Sequence, residues 1–306
     1  MKQKIDFGWL LPTGTQRMPR AGTAYLRHVR QALRLLHGRF HSAWMPDHLM
    51  DGQAAIPEAL TTVSYLAGLY PRLHWGTAVV SQSFRNPALL AKMAATLQQM
   101  SRGRFILGLG AGWKEDEYRA YGYDFPQPAV RIAQLAETVQ ICRAMWGPGQ
   151  AQATYAGEHY RVVNAVCQPK PQPPPPIMIG GGGEKLTLRL VAQHADWWNL
   201  PGAPPAKYRR KLAVLADYCQ EYGRTPRDIR KTWMGVVSIA PTRREAEERL
   251  RAFTIWPGDA PLVGAPDDIR TQLDAYRELG VDLFILSFTD EPDLAGLTLF
   301  CDAMLP

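Results

Sequence analysis

Short apolar runs recur along the chain, each followed by a stretch in which apolar residues return at helical intervals. Ile5–Leu11 is the first run, and Tyr25, Leu26, Val29, Leu33 and Leu36 then space out as one helical face. Ser42–Met45 is the second, with a helix from about Pro57 to Leu69. Leu73–Val80 is the third, and Pro87, suited to a first helical turn, opens its helix to Met100. Arg104–Leu109 leads into a helix over Arg131–Trp146, and Ile177–Ile179 into one over Glu184–His194. Asp196–Leu200 precedes a helix over Pro205–Tyr222, and Thr232–Ile239 and Leu283–Ser287 complete the series. Eight strands alternating with helices predict an α/β fold. A parallel (β/α)8 TIM barrel fits better than an open sheet, as one domain over residues 1–306.

Two stretches break the alternation and place insertions after the fourth strand and before the last. Gly147–Pro176 carries a hairpin pattern around Tyr155–Tyr160, then a proline-rich run, Pro169–Pro176. That run reads as a stiff lead-in to the fifth strand rather than as an SH3-type ligand. Trp256–Pro266 reads as a loop ahead of an extra helix, Asp267–Leu279.

Composition narrows the function classes. Hydrophobic residues make up 46% of the 306 residues and charged ones 21%, which excludes wholesale disorder. Cys142, Cys167, Cys219 and Cys301 are scattered with no CxxC pair, so neither a zinc site nor a disulfide framework is expected; a reducing cytoplasm is. No apolar run reaches the roughly 20 residues of a membrane helix, and MKQKIDFGWLLP lacks the plan of a signal peptide. The net charge is +7. Arg27, Arg30 and Arg34 on one helical face, and the run Arg209–Lys211, have no interleaved aromatics and read as solvated faces, so nucleic acid is not the expected partner. An anionic small molecule accounts for the charge equally well.

In a barrel of this kind chemistry lies at the C-terminal ends of the strands. The second strand ends in Trp44-Met-Pro-Asp47-His48, the fourth in Gly108-Leu-Gly110-Ala111-Gly112-Trp113, and the fifth in Gly180-Gly181-Gly182-Gly183. Both glycine clusters depart from G-x-G-x-x-G at its third glycine, where Trp113 and Lys185 stand, and neither is a P-loop. Glycine-rich ends expose backbone N–H groups and leave room for a flat ligand. Neither G-x-S-x-G nor H-E-x-x-H occurs, which argues against serine hydrolases and common zinc hydrolases. His48 is the candidate for chemistry, and Asp47 projects to the other side of the chain. Trp9, Trp44, Trp113, Trp197 and Trp198 are candidates for a partly aromatic pocket, or else core residues.

Together these segments resemble the luciferase-like monooxygenase superfamily, most closely its branch of coenzyme F420-dependent oxidoreductases, which also contains FMN-binding members. The likeness rests on Gly76-Thr-Ala-Val-Val-Ser-Gln-Ser-Phe-Arg-Asn-Pro87 through Ser101-Arg-Gly-Arg-Phe-Ile-Leu-Gly-Leu-Gly-Ala-Gly-Trp113. Pro174–Gly183 and the stretch from Val263-Gly-Ala-Pro266 to the end add to it. The resemblance implies a flavin or deazaflavin at the barrel mouth, its ring near Asp47, His48, Ala78, Val79, Gly110, Ala111 and Gly112. It places the phosphate end near Gly180, Gly181, Gly182 and Gly183, with Lys185 as a charge contact, and implies a non-proline cis peptide at Ala78–Val79. It also implies a homodimer. Several deazaflavin-dependent relatives carry a Glu proton donor where this chain has Trp113. Asp47, Glu115, Asp116 and Glu117 remain as acids, the last three expected on a solvent-facing helix.

The expected function is hydride transfer between coenzyme F420 and a small organic substrate, with His48 and Asp47 as the catalytic candidates and Trp9, Trp44 and Trp113 lining the substrate pocket. The alternatives are an FMN-dependent monooxygenase using oxygen, a flavin-binding protein without turnover, and a non-redox barrel lyase or aldolase. No lysine at a strand end is placed for the Schiff base an aldolase would use.

Overall fold

The computed structural model describes residues 5–13, 22–52, 54–149, 151–255 and 258–305. The first four residues and the start of the Trp256–Pro266 loop lie outside them.

In chain order the elements are β1 (Asp6–Leu10), α1 (Gly22–Leu36), β2 (Ser42–Met45), α2 (Ala59–Leu69), β3 (His74–Thr77), β4 (Val80–Ser81), α3 (Pro87–Met100), β5 (Phe105–Gly110), α4 (Glu115–Ala120) and α5 (Pro128–Trp146). There follow β6 (Ala153–Ala156), β7 (Arg161–Ala165), β8 (Ile177–Gly180), α6 (Thr187–His194), β9 (Trp197–Pro201), α7 (Pro205–Glu221) and β10 (Arg230–Ile239). The last are α8 (Arg243–Arg251), β11 (Leu262–Gly264), α9 (Pro266–Arg277), β12 (Leu283–Phe288) and α10 (Ala295–Met304).

Strands β1, β2, β3, β5, β8, β9, β10 and β12 pair in parallel in that order, and β12 returns to β1, closing an eight-stranded barrel. Such strands are buried on both faces, so they read as continuous apolar runs; every residue of Phe105–Gly110 is buried. The hairpin β6–β7 forms the insertion that follows the fourth barrel strand and its helix α5, and α8 with β11 adds to the chain before the last strand. Four hydrogen bonds pin the proline-rich lead-in: Lys92 Nζ to Gln168 O, Gln99 to Lys170 O, Gln98 to Pro173 O, and Lys170 Nζ to Met145 O.

Two cores result from the alternation of side chains. Phe7, Trp9, Trp75, Trp198 and Trp233 face outward into the layer between sheet and helices, whereas Trp44, Ile106, Met178, Leu283 and Ile285 fill the barrel. Trp44 fits because β1 and β3 contribute glycines at its level: a Cβ at Gly8 would lie 2.5 Å from its Nε1, and one at Gly76 would overlap its ring. Helix starts follow local chemistry. Asn86 caps α3 by accepting from the N–H groups of Ala88 (2.9 Å) and Leu89 (3.3 Å), with Pro87 next.

Candidate active site at the barrel mouth

Asp47 follows β2, and its carboxylate is buried. It accepts from Ser81 N–H (3.0 Å) and from both terminal nitrogens of Arg85 (2.8 Å each). Arg85 also reaches Glu58. Burial alone would depress the guanidinium, but its bonds to Asp47 and Glu58 outweigh this and raise it further. Asp47 therefore fastens the end of β2 to β4 and the loop before α3. With its acceptors filled by a fixed cation, it is not placed as a catalytic acid, and that expectation is corrected.

His48 points the other way and keeps 29% of its side chain exposed. Its Nδ1 lies 2.9 Å from Glu117 Oε1, and the Glu117 side chain is only 2% exposed. Of the acidic run expected to face solvent, Glu115 and Asp116 do, but Glu117 turns inward. Helix α4 has only six residues and acts as a clamp. Lys114 Nζ donates to Met50 O (2.7 Å) and Tyr121 OH to Leu49 O (3.0 Å), fixing the chain after His48. The Tyr118 hydroxyl meets Ser81 Oγ (2.6 Å), Ser83 Oγ (3.1 Å) and Ala111 O (3.3 Å). Gly112 is required beside it: φ is +77°, and a Cβ there would overlap that hydroxyl.

The Ala78–Val79 peptide is cis, as the resemblance implied. Val79 fills the space left by two missing side chains: a Cβ at Gly110 would lie 2.6 Å from its Cγ2, and one at Gly180 2.9 Å from its Cγ1. Val79, Gly110, Ala111, Gly112 and Gly180 are thus brought together. Val79, Ala111 and Gly112 are partly exposed, as an apolar floor at the mouth should be. Ala78 is buried beneath them in the barrel core.

The fifth-strand loop is anchored from two sides. Gly181 N–H donates to Asn199 O (2.9 Å), and Trp198 Nε1 donates to Gly181 O (2.8 Å). Gly181 has a φ of +120°, and a Cβ at Gly182 would lie 2.5 Å from Leu200 Cδ1. Helix α6 begins at Thr187, three residues later than expected, so Gly183 and Lys185 sit on the turn ahead of it, and Lys185 is exposed. The lysine that reaches this loop is instead Lys211 of α7. It is buried, and its Nζ lies 2.8 Å from Glu184 Oε1, an oxygen that also takes Arg210 at 2.7 Å. Two of the three residues of that basic run are therefore not simply solvated.

Among the five tryptophans only Trp113 stands open at the mouth, 57% exposed and edge-on to His48 with centroids 5.8 Å apart. Trp9 is not a pocket residue: its alternation places it in the outer layer, where its indole donates to Glu291 Oε1 (2.9 Å). Trp44 is not one either, being sealed inside the barrel with its N–H on Ser42 Oγ (2.8 Å). Trp198 faces outward, and Trp197 lies at the opposite end under Arg230, 4.4 Å from its ring. A polar cavity of about 460 Å³ opens at that opposite end, between Asp6, Asp196 and Asp282. Its carboxylates are engaged by Arg230, Arg143 and Lys231, so it is not where chemistry is expected.

From the sequence Glu117 stood only among acids expected to face solvent, and Lys211 only in a basic run read as a solvated face. Lys211 did leave a signal, since it falls in the buried helical stripe Tyr208–Leu215–Cys219.

Known proteins resemble this chain in sequence and in fold. The F420-dependent glucose-6-phosphate dehydrogenase of Microbacterium testaceum is 33% identical over 219 residues, 69% of this chain and 64% of that protein. The chain thus spans less than two thirds of that relative's length. An F420-dependent secondary alcohol dehydrogenase, solved with an F420–acetone adduct, superposes with a TM-score of 0.83 at 20% identity, over 99% of this chain and 98% of the other. The monooxygenase RslO1 of Streptomyces bottropensis superposes with a TM-score of 0.78 at 20% identity, covering 98% of each chain. These two share the fold. The luciferase-like monooxygenase family model matches residues 5–261, and the chain belongs to that family.

Proposed function

We propose that the protein is an F420-dependent oxidoreductase that exchanges a hydride with a small alcohol or carbonyl substrate at the barrel mouth. One observation carries this reading. A partly exposed histidine held by a buried carboxylate stands at a strand end, beside a floor of Val79 and glycines without competing side chains. The curated relative of 33% identity, an F420-dependent dehydrogenase, supports the choice of cofactor.

The residues present fit such a group. Val79, Gly110, Ala111 and Gly112 would hold a flat ring. Gly180–Gly183, the first turn of α6 and the nearby Lys211 would hold an anionic end, since helix N-termini and cations favour phosphate. Bound there, the deazaflavin supplies two-electron hydride chemistry. The protein's own part is the proton. As an alcohol becomes a carbonyl, its carbon loses a hydride and its oxygen a proton; His48 accepts that proton, and returns it in the reverse direction. Trp113 walls the substrate side, and the Tyr118–Ser81 contact keeps the floor and the histidine in register.

The family likeness further supports one barrel domain over 1–306 acting as a homodimer. Four buried free thiols suit a reducing cytoplasm. No helix among the described residues is long and apolar enough to cross a membrane.

The test is anaerobic turnover of a panel of small alcohols and ketones with F420, beside FMN with oxygen. The proposal expects F420 turnover without oxygen, and a fall of roughly 10²–10⁴-fold in His48→Ala with F420 affinity little changed. Oxygen consumption with FMN would favour a monooxygenase. Binding of either cofactor with no turnover would favour a carrier.

A further inference from the structure

We propose that Glu117 is a positioning residue for His48, and that Lys114, bound to the same carboxylate oxygen, sets how much of the Glu117 charge the imidazole feels. This deepens the reading of His48 as the proton-exchanging group and rests on it. Helix α4 carries three successive acids, of which only Glu117 is withdrawn from water. A carboxylate is buried at cost unless it is paired, and here the partner comes from 69 residues earlier in the chain. An ionised carboxylate only accepts, so it holds the imidazole proton on Nδ1 and leaves Nε2, across the ring, for a ligand.

Lys114 makes the arrangement adjustable. Its Nζ lies 3.3 Å from Glu117 Oε1, the atom that His48 Nδ1 meets at 2.9 Å. Burial would lower this ammonium, but its bonds to Glu117 and Asp51 outweigh burial and hold it above its usual range. It is therefore a lasting cation on the carboxylate oxygen that the imidazole also meets. The other charges facing the group are Asp116 on α4, 3.9 Å from Lys114 Nζ, and Asp51 after β2, at 3.3 Å. Asp47 and Glu58 are occupied by Arg85. Glu117 thus orients the ring, while Lys114 competes for the same carboxylate oxygen.

Nitrogen-15 spectra of histidine-labelled protein test this without cofactor, because the ring nitrogens report both the tautomer and the titration midpoint. In the parent protein neutral His48 should be the Nδ1–H tautomer. Glu117→Gln, nearly isosteric, removes the negative charge beside Nδ1 and should move the midpoint down, whereas Lys114→Met removes a positive charge and should move it up. In turnover assays the limb of the pH profile that follows this proton should move the same way in each variant, while KM changes little. An Nε2–H tautomer in the parent, or midpoints that move together or stay fixed in variants melting like the parent, would overturn the proposal. Failure of the underlying reading looks different: His48→Ala would keep turnover while the ring spectra still behaved as described.

Discussion

Replacing Gly112 with alanine should cost far more than one methyl group suggests. Gly112 has a φ of +77°, which costs an L-residue about 1–2 kcal/mol. The new Cβ would also overlap the Tyr118 hydroxyl and lie 2.7 Å from Ser81 Oγ. Tyr118 is buried, and its hydroxyl ties Ser81, Ser83 and Ala111 together, so displacing it strands polar atoms at about 1–3 kcal/mol. The sum is about 2–5 kcal/mol, a large share of the 5–15 kcal/mol typical of a folded protein. Tyr118→Phe alone strands the same partners at about 1–3 kcal/mol, yet it removes the worst of the three close approaches. The double variant should therefore be more stable than the sum of the singles predicts, by about 1 kcal/mol or more. Urea unfolding followed by circular dichroism measures all four corners of the cycle. A Gly112→Ala cost below about 1 kcal/mol, or strict additivity, would refute the clamp at α4.

Asp47→Ala leaves the largely buried Arg85 with Glu58 alone and should destabilise by about 1–3 kcal/mol in the same unfolding assay, marking Asp47 as structural. Glu291 is buried, and that burial raises its carboxyl despite the hydrogen bond from Trp9 and the nearby His28 imidazole. The folded state thus holds the proton more tightly than the unfolded one, and this group's contribution to stability declines as pH rises above its ordinary value of 4.5. Glu291→Gln, which keeps an acceptor for Trp9, should melt increasingly above the parent as pH climbs through that window, and a constant offset would contradict the assignment. The Cys142 thiol, pushed up to about 12 by burial, should resist thiol reagents at neutral pH until the protein unfolds, as timed labelling would show.

The barrel was legible because parallel strands covered on both sides must be apolar throughout, so Phe105–Gly110 and Leu283–Phe288 announce themselves. Helix α8 was missed for the opposite reason. Arg243–Arg251 buries only Ala246 and is held by the Thr242–Glu245 capping box and the Arg243–Glu247 and Arg244–Glu248 pairs, so it has no apolar stripe to read. Within the site, the glycines and His48 were visible as strand-end residues. Which tryptophan faces the mouth was not. Trp9 and Trp44 differ in the face of the sheet they occupy, and glycines from neighbouring strands decide whether an indole fits inside. Glu117 and Lys211 were hidden because a carboxylate three residues into an acidic turn, or a lysine in a basic run, becomes functional only through a partner that the fold brings to it.

The claim at the centre of this account is that the floor made by Val79, Gly110, Ala111 and Gly112 receives a deazaflavin ring. The most direct measurement is an anaerobic equilibrium titration with F420 and, separately, with FMN, on the parent protein and on Ala111→Phe, which places a ring of its own on that floor. The account predicts saturable one-to-one F420 binding to the parent, weaker binding of FMN, and loss of F420 binding in a variant whose thermal melt is otherwise preserved. Tighter binding of FMN than of F420, or F420 affinity untouched by Ala111→Phe, would contradict it.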